Sequence, residues 1–185
     1  MRKYHLLRIG KTGTSALRET LQPIVENGFP IVLHPHEETI KNIPQSENII
    51  FSIRDPITRF ISGFYTRQRK GRPKYNSEWS KDEERSFRYF ASPEQLAIYL
   101  GSKNYFRRKK AYYAMSNIYH VRHKYNFWFI TLDELQKRSD KIYYILRQEF
   151  LSKDFDGLLK NLGIKEMLSL PNDEILMHKN PSNLT

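Results

Sequence analysis

Cysteine is absent from this 185-residue chain, so neither disulfides nor thiolate metal sites are open to it. Its redox compartment therefore cannot be read from cysteine usage. Long apolar runs are lacking too. The opening Met1-Arg2-Lys3-Tyr4-His5 leads into a short apolar patch broken by Arg8, which makes neither a signal peptide nor a membrane anchor. A cytoplasmic protein without a membrane segment is the expectation. No low-complexity tract divides the chain, so a single domain over residues 1–185 is expected. Acidic residues are in deficit: 20 Asp and Glu stand against 31 Lys and Arg, a net charge of +11. A balance of that sign attracts polyanions or highly charged small ligands.

What is present begins with Tyr4 to Ile9, which reads as a first strand. Gly10-Lys11-Thr12-Gly13-Thr14-Ser15 follows, then a helix with Leu17, Leu21, Ile24 and Val25 on one face. Pro23 is expected to kink or split that helix near Leu21. Gly28 closes it, and Ile31-Val32-Leu33 makes a second strand. Strand, small-residue loop with one Lys, then helix is the layout of a loop whose backbone N–H groups converge on a phosphate. The signature G-x-x-x-x-G-K-[ST] of the nucleotide kinases is not met. Gly10-Lys11-Thr12 matches its end, but His5 occupies the place of its first glycine.

The stretch Asn48 to Arg72 carries the second signal. Ile49, Ile50, Phe51 and Ile53 form a nearly continuous apolar run, as in a strand of a parallel sheet buried on both faces. The run stops at Arg54. Asp55 is a helix N-cap and Pro56 sits at the first helical position, where a missing N–H costs nothing. The helix that follows is expected to bury Ile57, Phe60, Ile61 and Phe64. A cation at the carboxyl end of a strand, beside a helix N-terminus, makes either an anion site or an ordinary solvated turn.

Taken together, Lys11-Thr12-Gly13-Thr14-Ser15-x-Leu17 after one strand and Ser52-Ile53-Arg54-Asp55-Pro56-x-x-Arg59-x-x-Ser62-Gly63-Phe64 after a later one resemble the sulfotransferases. These enzymes use 3′-phosphoadenosine 5′-phosphosulfate (PAPS), and the small bacterial and Golgi-type carbohydrate sulfotransferases are the nearest in pattern. The resemblance implies a loop at Lys11, Thr12, Gly13, Thr14 and Ser15 for the 5′-phosphosulfate, and Arg54 with Ser62 for the 3′-phosphate. Lys11 would act on the leaving oxygen. It also implies a hydroxyl acceptor, on a carbohydrate, and no metal. The Arg-Lys-Gly segment that clamps adenine in many cytosolic members is missing from the last residues, so the groups holding the base stay open, with Lys179 a candidate to reach the nucleotide.

Between the two motifs stands His34-Pro35-His36. Two histidines one apart near a strand end are candidate metal ligands without a third ligand at metal spacing, or incidental members of a polar loop. The resemblance adds a third role, because several carbohydrate sulfotransferases place a catalytic histidine in this interval. On that basis His36 is the expected general base and His34 its neighbour in reserve.

Beyond the second motif, Arg67, Arg69, Lys70, Arg72 and Lys74 are interleaved with Tyr65, Tyr75 and Trp79, a pattern that fits a nucleic-acid surface, a solvated face or the wall of an acceptor groove. No nucleic-acid recognition motif accompanies it. Helices are expected over 82–90, 93–100 and about 106–119, with Tyr113, Met115 and Ile118 in a core and His120 and His123 at a helix end. Buried strands are expected at Phe127–Ile130 and Ile142–Leu146, then a helix carrying Phe155, Leu158, Leu159 and Leu162 that ends at Gly163. The expected class is α/β: three layers, a mostly parallel sheet with helices on both faces, in the topology of P-loop nucleotide kinases. The alternatives are a P-loop-type kinase using ATP and a basic nucleic-acid-binding module.

Overall fold

The computed structural model describes residues 2–171. Its chain contacts divide the described residues into two compact units, one made of residues 2–54 with 124–171, the other of Asp55–His123.

In the first unit, β1 (Tyr4–Leu7) leads through a loop to α1 (Thr14–Glu26) and then β2 (Ile31–Leu33). A loop and a short 3-10 turn (Ile40–Asn42) reach β3 (Asn48–Ile53). All pairings are parallel, with Tyr4 opposite both Ile31 and Asn48, so β1 lies between β2 and β3. A fourth strand, β4 (Ile142–Arg147), pairs with β3 and gives the order β2-β1-β3-β4. The chain thus winds one way from β1 to β2 and the other way from β3 to β4.

Side chains alternate along the strands and build a core on each face of the sheet. Leu6, Ile50 and Leu146 join Leu17, Leu21 and Ile24 of α1. Leu7, Ile9, Ile49 and Phe51 join Ile40, Ile43, Trp128 and Phe129. Fully burying one such side chain stabilises the fold by about 1.5–3 kcal/mol.

The second unit opens with α2 (Pro56–Gln68), whose N-cap Asp55 accepts the N–H of Thr58 at 2.9 Å, as the Asp-Pro pair requires. Next come α3 (Lys81–Tyr89), α4 (Pro93–Leu100), α5 (Tyr105–Asn117) and α6 (Tyr119–Arg122). They enclose Phe64, Phe90, Leu96, Ala111, Ala114 and Ile118. Helix α3 begins with a full capping box, Ser80 with Glu83, and the same Glu83 takes both arms of Arg67 at 2.7 and 2.8 Å.

The first unit resumes with α7 (Tyr125–Phe129) and α8 (Leu132–Lys137) before β4, and α9 (Leu151–Leu162) after it. Phe155, Leu158 and Leu159 of α9 close the first core, and Gly163 ends the helix in the left-handed conformation.

Three expectations are corrected. Phe127–Ile130 is not a strand: four apolar residues in a row cannot distinguish strand from helix, and here a helix stacks the Tyr125 and Phe129 rings while burying Trp128. Pro23 does not split α1, which runs on to Glu26, and the ladder resumes where Asn27 N–H donates to the Pro23 carbonyl. Ile57 is 69% exposed; in the first turn of α2 it is Arg59, Ser62 and Phe64 further on that face inward. Among the described residues, no helix is long and apolar enough to cross a membrane.

Candidate anion-binding site

In an open parallel sheet the crevice at the strands' carboxyl ends, where the winding direction reverses, is the place where ligands bind. Here that point lies between β1 and β3, and the residues leaving those two strands are Arg8 to Gly13 and Arg54.

The loop after β1 is fixed from within. The Thr12 hydroxyl, fully buried, donates to the Ile9 carbonyl at 2.8 Å, and Thr14 Oγ1 donates to the same oxygen at 3.1 Å. Ser52 of β3 donates to the Thr12 carbonyl at 2.8 Å, and its hydroxyl lies 2.8 Å from that of Thr12. These bonds tie the loop to the neighbouring strand. The hydroxyls of Thr12 and Thr14 therefore shape the loop, and what Thr12, Gly13 and Thr14 offer a ligand is backbone. Helix α1 has no side-chain cap and no acidic residue in its first turn. Its first N–H groups keep the positive end of the helix dipole at the loop.

Two residues of the loop adopt left-handed backbone. Gly13 has φ +86°, and a β-carbon there would stand 2.6 Å from Leu151 Cδ2. Lys11 has φ +69°, a conformation that costs a non-glycine residue of the order of 1 kcal/mol and clusters at functional turns. Arg54 is pinned at its backbone by the Tyr125 hydroxyl, which accepts from Arg54 N–H at 2.9 Å and donates to its carbonyl at 2.7 Å. The Arg54 guanidinium reaches the Lys11 carbonyl at 3.5 Å.

The two histidines belong to separate arrangements. His36 Nδ1 lies 3.1 Å from the Arg8 carbonyl and its Nε2 lies 2.9 Å from the Arg8 guanidinium. Burial first, then the charge of Arg8, hold His36 below the ordinary histidine value; the charge of Lys11 adds to this, while the Arg8 carbonyl and Glu37 oppose it. His34 Nε2 instead meets His5 Nδ1 at 2.7 Å, and the other nitrogen of His5 contacts the Glu47 carboxylate. His34 is also lowered, by burial and by His5, against the pull of Glu38. Among the described residues no group of three or more His, Asp or Glu could hold a metal ion.

The sheet thus gathers Lys11, the loop to Ser15, Arg54, His34 and His36 into the first unit. Ser62 belongs to the second unit, buried on α2, and Lys179 lies outside the described residues. Sequence reasoning passed over Arg8, His5 and Tyr125. Arg8 had a visible signal, a charge among Leu6, Leu7 and Ile9; Tyr125 had none. Comparison with protein-family models, with curated proteins and with solved structures finds no match.

Proposed function

We propose that this chain is a PAPS-dependent sulfotransferase that transfers a sulfuryl group to a hydroxyl, on a carbohydrate. One observation carries the reading: Lys11 and Arg54 stand at the carboxyl ends of adjacent central strands, joined through the Lys11 carbonyl, at the mouth of an uncapped helix. Two cations and a helix dipole suit a ligand with two separate anionic groups. On this reading the fold is the three-layer arrangement of the nucleotide kinases, with a loop too short for their phosphate cradle.

The reaction is an in-line displacement at sulfur. The acceptor oxygen forms the new O–S bond, the bond from sulfur to the bridging oxygen breaks, and its electron pair leaves on the 5′-phosphate of the nucleotide. The acceptor proton passes to His36. Lys11 and the backbone N–H groups of Thr12 to Ser15 stabilise charge on the phosphate side, and Arg54 holds the 3′-phosphate. Catalysis then comes from positioning and electrostatics, and no step calls for a metal. The role of Ser62 as a second 3′-phosphate ligand rests on the sequence motif.

The test compares thermal stabilisation of the whole chain by 3′-phosphoadenosine 5′-phosphate, by ATP with magnesium and by an oligonucleotide. The first alone should stabilise strongly, and Arg54→Ala should remove about 2 kcal/mol of that binding while sparing a nucleotide without the 3′-phosphate. Stabilisation by ATP–magnesium or by the oligonucleotide alone would replace this reading with a kinase or a nucleic-acid module.

A further inference from the structure

His36 is held at both of its ring nitrogens by one residue. The Arg8 carbonyl can only accept, so Nδ1, 3.1 Å away, carries the ring proton. Guanidinium nitrogens can only donate, so Nε2, 2.9 Å from Arg8, presents its lone pair to that group. The backbone is fixed as well, since the Trp128 indole donates to the His36 carbonyl at 2.7 Å. Arg8 itself is 7% exposed and also reaches the His34 carbonyl at 3.4 Å.

This arrangement opposes protonation. The lone pair that would take a proton is already engaged, and the guanidinium engaging it does not give up its own. A proton placed on Nε2 would lose the hydrogen bond and face a cation. The groups acting on the ring are Arg8 from the end of β1, Lys11 from the loop and Glu37 beside it, with Trp128 from α7 uncharged; the two cations oppose protonation and Glu37 favours it. The side chains of His5, His34 and Glu47 form a second network, which meets this one where Arg8 donates to the His34 carbonyl.

We propose that Arg8 is a positioning residue that masks His36 until an anionic donor group draws the guanidinium away, freeing Nε2 to accept the proton of the acceptor hydroxyl. The planar fork of Arg8 suits sulfate and phosphate oxygens better than it suits a single imidazole nitrogen. An anion held at Lys11 competes for it directly. Occupancy by the donor then removes a cation from the ring and brings an anion near it, and both changes raise the basicity of His36. The base is active only when there is a group to transfer. This inference rests on the sulfotransferase reading and adds its regulation.

The experiment follows His36 by nitrogen NMR in the full chain with labelled histidine, its signal assigned through His36→Gln. Spectra are taken across pH without ligand and with PAPS in the absence of acceptor, while calorimetry records PAPS binding independently. Without ligand, the Nδ1–H tautomer and a pKa below that of free histidine are expected. PAPS should raise that pKa, and Arg8→Gln should raise it without PAPS and leave PAPS only the smaller further rise that the charge of the bound anion supplies. Arg8→Lys, which keeps the charge and loses the fork, supplies the comparison if the Gln variant does not fold. PAPS binding that leaves the tautomer and pKa of His36 unmoved overturns the mask and spares the sulfotransferase reading. No PAPS binding overturns both.

Discussion

Two buried arginines, one in each unit, are held in different ways. In the helical unit, Arg67 meets Glu83 through two hydrogen bonds, and that carboxylate also takes N–H groups from Tyr119 at 3.1 Å and Ser80 at 3.2 Å. In the sheet unit, the Arg8 guanidinium donates to an imidazole nitrogen and a carbonyl oxygen. A carboxylate–guanidinium pair with its remaining lone pairs satisfied is a permanent structural joint. A guanidinium that donates to a neutral imidazole makes a weaker hydrogen bond than one that donates to a carboxylate. The contrast extends to pH, because the joint in the helical unit titrates as a carboxylate and the network in the sheet unit titrates as histidine.

Breaking the permanent joint should give the largest effect. Glu83→Ala leaves Arg67 buried beside two carbonyls and removes the partner of the α3 capping box, so urea unfolding should show a loss of about 3–5 kcal/mol. A loss under about 1 kcal/mol would place this pair among ordinary surface bridges.

On the sheet side, Gly13→Ala must place a side chain at φ +86° and against Leu151. Urea unfolding should report a loss of about 2 kcal/mol or more. Binding of 3′-phosphoadenosine 5′-phosphate should fall as well. Retained stability with retained binding would mean the loop is not held in the conformation described.

The pH dependence sharpens the comparison. His34 and His36 are held below 6.5, so near that pH the unfolded chain binds more protons than the folded one. Stability is then full above about 6.5 and declines as the pH falls towards their folded values, by at most about 1.4 kcal/mol per pH unit for each histidine. For Glu83, burial acts to raise its pKa, but the hydrogen bonds from Arg67, Tyr119 and Ser80 outweigh burial and hold it below 4.5. Its contribution is present above about 4.5 and is lost as the pH drops through the lower folded value. Thermal melting from pH 8 to pH 3 should show both declines, and the double variant His34→Gln, His36→Gln should flatten only the upper one. A melt that ignores those substitutions between pH 7 and pH 5 would contradict the burial of the two rings.

The smallest effect concerns the tie between loop and strand. Thr12→Val keeps the shape and removes the hydroxyl shared with Ile9 and Ser52, and should cost about 1 kcal/mol in urea unfolding. Nucleotide binding should survive, because the hydroxyl faces the protein. Loss of binding with unchanged stability would instead make Thr12 a direct ligand.

The sequence by itself determined the elements whose signals are local. Short apolar runs set β1 and β3, the Asp55-Pro56 pair set the start of α2, and Gly163 set the end of α9, because each depends on residues within one turn or one strand. Lys11 and Arg54 were legible as candidate anion binders for the same reason: each ends a strand and precedes a helix. Only the tertiary structure decided the rest. Phe127 to Ile130 had no local signal to choose helix over strand, and the choice fell to the space against Leu7 and Phe51. The tie between the Thr12 hydroxyl and Ser52, forty residues on, has no local signal in the sequence. The availability of His36 could not be read at all, since it depends on which way one lone pair points, and the Arg8 guanidinium that meets it comes from a different strand end, 28 residues earlier. Spacing along a chain fixes which residues share a face, but hydrogen-bond direction is fixed by partners that only folding brings within 3 Å.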